Sequence, residues 1–278
     1  MQLPESTVRI RLVGDELRRH RMAAGWKLIE ASRRMGIDHT KLSRMEHGKY
    51  TQTCDEVAGL LALYGVTGEK RKDLLRLSRE AEHSGLWQRN CSIHQRVATL
   101  ESFESNATRL INFENAVIPG LLQTVPYAQA LIGNSGLCAD DVDLGKRVAD
   151  RIHRQAVLRK LGAPDLVAII AESALHNIVG DRTIMREQIA YLAEAVQRRN
   201  IAVRIVPASA RSSAGHDGPF MRLHFRDRRG VVVLENRTSN LFLEDDEDLL
   251  IYNQVTARLL DVALGNEESV ALLRDSLA

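Results

Sequence analysis

Cysteine is scarce in this chain of 278 residues. The three present, Cys54, Cys91 and Cys138, are odd in number and far apart, with no CxxC pair and no Cys/His cluster at zinc spacing. This excludes a disulfide scaffold and a zinc ribbon, and the thiols are expected to be reduced and structural, with no metal site and no cofactor. Long apolar runs are missing as well: no stretch approaches the roughly 20 residues that cross a bilayer. The opening Met1-Gln2-Leu3-Pro4-Glu5 has neither a basic region nor an apolar core, so a cytosolic protein is expected. No internal repeat, low-complexity segment, P-loop, G-x-S-x-G, H-E-x-x-H or dinucleotide fingerprint is found, which removes the enzyme classes those motifs define. What remains is 44% hydrophobic and 27% charged, the composition of a folded protein with one large or two ordinary domains.

The net charge of +2 is unevenly spread. Residues 1–80 carry 16 Lys+Arg against 11 Asp+Glu, so the rest of the chain is net acidic. The basic end is the candidate for a polyanionic partner.

From Val13 to about Ser84 the pattern is that of four or five short helices. Gly25, Gly36, Gly48 and Gly65 fall where helix ends want a residue tolerant of positive φ. Asp38 is placed to cap a helix over 39–46, and Thr53-Cys54-Asp55-Glu56 reads as a capping box opening a helix that ends near Tyr64. Residues 85–115 read as a helical connector, with Trp87 anchoring it. A short extended piece at 116–118, a helix over 121–132 and a basic helix over 144–161 follow. Beyond Pro164 the period changes to strand 166–170, helix 184–199, strand 202–206, strands 220–225 and 230–235, a short strand 241–243 and a closing helix 246–264. The expected fold is therefore α+β: an all-α N-terminal domain (1–84), then a larger domain (85–278) with a mixed sheet.

Residues 26–48 have the logic of a helix-turn-helix. A first helix (27–35) leads to a turn at Gly36, Ile37 plugs the angle, and a second helix (39–46) turns Leu42 and Met45 inward. His39, Thr40, Lys41, Ser43 and Arg44 are left outward, a set suited to the major groove, where Arg makes two hydrogen bonds to a guanine edge. An ordinary three-helix bundle with a solvated charged face is the alternative.

Residues 14–66, above all Gly14-Asp15-Glu16-Leu17-Arg18-Arg19-His20-Arg21, Gly25-Trp26-Lys27-Leu28 and Lys41-Leu42-Ser43-Arg44-Met45-Glu46-His47-Gly48, resemble the Xre/Cro-type helix-turn-helix of phage repressors and bacterial regulators. The resemblance implies an ion pair between Arg21 and Glu46. It puts His39, Thr40 and Arg44 at positions that face bases, and Lys41 and Lys49 on or near phosphate-facing ones. Such repressors usually open the second helix of the domain with Ser, Thr or Asn followed by Gln. Here Lys27 and Leu28 stand there, and the resemblance implies that Lys27 replaces the lost phosphate contact electrostatically.

Further on, Glu101-Ser102-Phe103-Glu104, the run Val117 to Ala128, Arg204-Ile205-Val206-Pro207, Gly218-Pro219-Phe220 and Val233-Leu234-Glu235-Asn236 are similar to the uncharacterised C-terminal domain of actinobacterial Xre-type regulators, including WhiJ-like ones. This resemblance implies a transcription regulator that often works with a small regulatory protein. Leu121, Leu122 and Tyr127 recur at helical spacing. They read either as a core helix or as an apolar groove for a partner helix or peptide.

Glu172 and Glu235 end two strands, with His176, His216 and Asp217 nearby in sequence, so a catalytic cleft requires the two carboxylates to converge, whereas a ligand pocket needs only Glu172 or Glu235 in its polar floor. The reading taken is a non-enzymatic, sequence-specific DNA-binding transcription regulator: a homodimer on a palindromic operator of double-stranded DNA, whose C-terminal domain senses a small protein or ligand. Its rivals are an antitoxin-type component of a protein pair and an enzyme fused to a DNA-binding module.

Overall fold

The computed structural model describes residues 7–276 except 80–85, 90–92, 137, 139, 211–213 and 227; the side chains of 86–89 and 93–95 are also outside the description, so Cys91 and the Trp87 anchor fall outside the described residues. Contacts divide the chain into two units, residues 1–88 with 241–246, and residues 89–240 with 247–278. Among the described residues no helix is long and apolar enough to cross a membrane.

The first unit contains helices α1 (Val8–Ala23), α2 (Leu28–Met35), α3 (His39–Glu46), α4 (Cys54–Leu63) and α5 (Gly68–Arg79), and then strand β1 (Leu86–Arg89). Each helix start has a local cause. Thr7 Oγ1 accepts from the Ile10 amide, Asp38 from the Thr40 and Lys41 amides, and Thr53 and Glu56 form a reciprocal box. Leu17, Ala31, Leu42, Met45, Val57, Leu60 and Leu61 make its solvent-free core. Late chain also belongs to this unit: Arg11, wholly buried in α1, meets Glu244 at 2.6 Å, and the other carboxylate oxygen accepts from the Val8 amide at 2.8 Å.

The second unit holds α6 (Ile93–Asn106), β2 (Arg109–Glu114), a 3-10 turn (Gly120–Leu122), α7 (Val125–Gly133), α8 (Asp141–Arg154), a further 3-10 turn (Gln155–Leu158), β3 (Asp165–Ala171) and α9 (Ser173–His176). It continues through α10 (Arg182–Ala195), β4 (Ile201–Val206), β5 (Phe220–His224) and β6 (Val231–Glu235). After β7 (Ser239–Leu243) come α11 (Asp246–Val262) and α12 (Asn266–Asp275). Within this unit the strand order is β6-β5-β2-β3-β4. Strands β2, β3 and β4 are parallel, with Leu110 opposite Leu166 and Leu166 opposite Ile201, whereas β5 runs antiparallel to both β2 and β6. The fold is α+β with a mixed sheet.

The connector and the C-terminal end differ from the sequence expectation, and the first difference begins at residues 86–89, which are strand β1 where helix is expected. The helix of the connector stops at Asn106, and residues 109–114 are a strand lying between β3 and β5; residues 116–118 are not a strand. Leu110, Ile111, Asn112 and Phe113 are all buried, so this strand shows no apolar/polar alternation and reads like helix from sequence. The second difference is α12, which opens at Gly265 with the Glu268 carboxylate accepting the Gly265 amide at 2.8 Å. It occupies the exposed edge of β4: Ser269 Oγ accepts from the Ile205 amide and Asn266 Oδ1 from the Val203 amide. The open edge is thereby closed to further strand pairing.

Candidate nucleic-acid interface

Helices α2 and α3 meet through Gly36, which takes φ +65°, a conformation that costs a side-chain-bearing residue and suits glycine. Lys27 stands before α2 as an exposed cap residue whose amide is held by Glu30 Oε2 at 3.2 Å. In α3, Leu42, Met45 and Glu46 are buried, whereas His39 and Thr40 are exposed, and Ser43 and Arg44 are half-buried. The helix is thus split cleanly into an inward apolar side and an outward polar side.

Glu46 is the one carboxylate on the inward side, and Arg21 takes both its oxygens, Nε to Oε1 at 2.7 Å and Nη2 to Oε2 at 2.9 Å. The third guanidinium nitrogen donates to the Trp26 carbonyl at 2.8 Å. One arginine therefore locks α3 and the start of the α2 segment onto α1. The hydrogen bonds to Glu46 raise the Arg21 pKa above its ordinary value.

Sequence reasoning assigned no role to two residues that complete this arrangement. Gly14 is the contact point of α1 with the end of α3, because a Cβ there would stand 2.3 Å from the Met45 carbonyl oxygen. Gln52 Nε2 donates to that same carbonyl at 2.8 Å, as a second donor beside the Gly48 amide at 3.0 Å, and so ties the segment after α3 to the helix end. Gly14 stood inside the quoted motif; nothing local marks Gln52.

The outward residues are not equivalent. The Lys41 ammonium is paired with the Glu56 carboxylate and lies 4.9 Å from the centre of the Tyr50 ring, and the hydrogen bond to Glu56 raises its pKa. Much of its charge is thus answered within the protein, unlike a cation reserved for phosphate. Arg44 Nη2 lies 3.5 Å from the Lys49 carbonyl, at the edge of hydrogen-bonding range, so the fork is only loosely held by its own chain. Lys49 is exposed after the helix. His39, Thr40, Ser43, Arg44 and Lys49 are brought together along α3 and its exit, with Lys27 at the start of α2.

In the second unit the structure separates what sequence grouped. Leu121, Leu122 and Tyr127 are buried to within 1% exposure, so they are core and not a groove for a partner. The physical reason is a buried turn whose backbone is satisfied from inside. Gln123 Nε2 donates to the Ile118 carbonyl, Gln155 to that of Gln123 and Gln188 to that of Leu122, each at 2.7 Å, and the Ile118 amide donates to Tyr127 Oη at 3.1 Å. Glu172 ends β3 and accepts from the Ala208 amide at 2.7 Å, holding the loop that follows β4. Glu235 ends β6 and lines a cavity that Glu172 does not touch. With β5 and β2 between their strands, roughly 14 Å of sheet separates them. The convergence that a catalytic cleft requires does not occur, whereas Glu235, without Glu172, does line a pocket; His176, His216 and Asp217 are exposed.

A carboxyl that sequence reasoning missed lies between them. Glu114, at the end of β2, is pushed up to about 8 by burial and by the Glu235 charge, against a weaker pull from Asn112 and Arg151. Beside it, Arg154 holds Glu104 through two bonds of 2.7 and 3.0 Å in the protein interior.

Comparison with known families agrees with this division. A helix-turn-helix domain is matched over residues 12–74, and a domain of unknown function (DUF5753) over residues 97–275. A comparison with curated proteins finds no match. Because the second match takes in more than half of the sequence, the chain belongs to the DUF5753 family, with a helix-turn-helix domain at its N-terminal end.

Proposed function

We propose that the chain is a sequence-specific transcription regulator of Xre type, of the actinobacterial, WhiJ-like kind. In this reading α3 reads base edges in the major groove, and the C-terminal domain receives a signal from a small protein or ligand. The observation that carries the reading is the outward set His39, Thr40, Ser43 and Arg44 on a helix whose inward side is pinned by Arg21 and Glu46. Arg44 is the base reader, Lys49 and Lys27 are phosphate contacts, and Lys41 is chiefly a brace between α3 and α4. Catalysis forms no part of the proposal, since Glu172 is engaged with backbone and lies apart from Glu235.

One recognition helix covers only a few base pairs, so useful specificity calls for two copies on half-sites about 34 Å apart or a multiple of that. We infer a homodimer on a palindromic site. Leu250 and Ile251, adjacent on α11 and both about half exposed, are aliphatic surface suited to a subunit contact beyond residue 85.

Genome-wide mapping of bound sites, followed by titration of the recovered site, tests the function. Arg44→Ala should cost about 1–3 kcal/mol on that site and relax preference at one position, with little loss on random DNA. Equal losses on both would remove Arg44 from its role. Sedimentation of the full chain as a monomer at micromolar concentration would refute the dimer.

A further inference from the structure

The second unit contains a cavity of about 470 Å³ beside the end of β6, within the size range of small-molecule sites. One side is aliphatic, with Val97 and Leu100 from α6 and Leu131 and Ile132 from α7. The other is cationic. Arg147, Arg151 and Arg154 recur at helical spacing along α8 and so share one face, and Arg237 adds a fourth guanidinium after β6.

Among the described residues, two of the lining arginines meet a carboxylate, and two, Arg96 and Arg237, meet only backbone carbonyls. Arg147 meets Asp143 at 2.8 Å, Arg154 is bound twice by Glu104, and Arg237 donates to the Ser135 carbonyl at 3.0 Å. Arg96, also in the wall, donates to the carbonyls of Asn236 and Arg237 and so steadies the segment that follows β6.

Arg151 differs from both pairs in having a single hydrogen bond among the described residues to a neutral side-chain amide, Gln123 Oε1 at 3.0 Å, and no carboxylate there comes within ion-pairing distance. It is packed on Gly120, where a Cβ would lie 2.9 Å from Nη1. Burial pushes the Arg151 pKa down, and the neighbouring Glu114 carboxyl, raised to about 8, carries little counter-charge at neutral pH. Counting Asp143 and Glu104 together with the lining acids Asp150 and Glu235, five arginines face four carboxylates. A part-buried guanidinium with one neutral hydrogen-bond partner has N–H groups to spare, and an anion in the cavity it lines gains charge-assisted hydrogen bonds from them.

We propose that this cavity binds a small organic anion: one carboxylate or phosphate seated on Arg151, carried by an aliphatic or aromatic body that lies against Leu100, Leu131 and Ile132. The anion is then the signal received by the C-terminal domain. That last link rests on the regulator reading above, whereas the binding itself does not.

The test uses the full chain and three probes, 4-phenylbutyrate, phenyl phosphate and the uncharged 4-phenylbutyramide, titrated by calorimetry and by ligand-observed NMR. At least one anion should saturate at millimolar concentration or below, the amide should bind at least tenfold more weakly, and Arg151→Gln should reduce anion binding at least tenfold while leaving the amide unchanged. Which of the two anions binds more tightly separates a carboxylate site from a phosphate site. Equal binding of acid and amide, no saturable binding of either anion, or undiminished binding by Arg151→Gln overturns the proposal. If that variant does not fold, the acid-against-amide comparison on the unaltered chain decides. A chain that binds anion but no DNA upholds the cavity and refutes the regulator; one that binds DNA but neither anion does the reverse.

Discussion

The two units deploy charge in opposite ways. In the helical unit polar chemistry faces outward from a short helix, and the ion pairs behind it, Arg21 with Glu46 and Arg11 with Glu244, brace the scaffold. In the sheet-containing unit charge is drawn inward, where Glu104, Arg154, Glu114 and Arg151 gather beside a cavity. A surface that meets a polyanion of fixed shape needs a rigid backing and free outward groups. A pocket that meets a small molecule needs desolvated groups whose balance a ligand can complete.

The largest test of this contrast is to break one buried pair in each unit. Glu104→Ala and Glu244→Ala each take the carboxylate from a guanidinium with almost no solvent access, and each should cost about 3–5 kcal/mol in its own unit. Hydrogen exchange on the full chain should show loosening in residues 93–240 for the first and in residues 8–79 for the second. Loosening confined to the other unit in either case would break the comparison.

Next in size is Glu46→Ala. It strands Arg21, which is only slightly exposed, and should cost about 2–3 kcal/mol. Glu56→Ala removes half of a capping box and a partly exposed pair with Lys41, about 1 kcal/mol. Thermal melts of the full chain should place Glu46→Ala clearly lower; the reverse order would mean that Arg21 does not depend on Glu46.

A third test is pH. Glu114 is protonated in the fold up to about pH 8 and ionises near 4.5 when unfolded, so between these values the folded state binds the extra proton. Its contribution is therefore complete below about pH 4.5 and is lost as pH rises through 8. Between pH 6 and 8 the loss amounts to about 2 kcal/mol at most. Denaturation at the two pH values should show the chain weakening toward pH 8 and Glu114→Gln weakening less. An identical slope in both would mean that Glu114 is already ionised at pH 6.

The smallest effect separates two lysines that sequence treated alike. Lys49→Ala should flatten the salt dependence of DNA binding by about one unit of slope, whereas Lys41→Ala, whose ammonium is already paired with Glu56, should change the slope less. The opposite ranking would return Lys41 to the phosphate contacts.

Much of the helical unit was legible in the sequence because its signals are short-ranged. Asp38 caps amides two and three residues on, Thr53 and Glu56 cap each other, and Gly36 takes the positive φ that ends α2. Apolar spacing placed Leu42 and Met45 inward, and it placed β3 and β4 in the second unit to within a residue. Strand β2 was misread because it is flanked by strands on both sides and buried at its four central residues, which erases the alternation that marks a strand.

Only the tertiary structure decided which charges meet. Glu244 lies 233 residues from Arg11, Arg154 is 50 from Glu104, and Glu114 shares its surroundings with Arg151 and Glu235 from separate elements. The same holds for Lys41, whose outward spacing is that of a phosphate contact until α4 brings Glu56 beside it. Caps and periodicity are properties of a few consecutive residues and survive in a one-dimensional reading. Ion pairs, the polarity of a cavity and the pKa of a buried carboxyl depend on distance and desolvation, which exist only once distant segments have packed together.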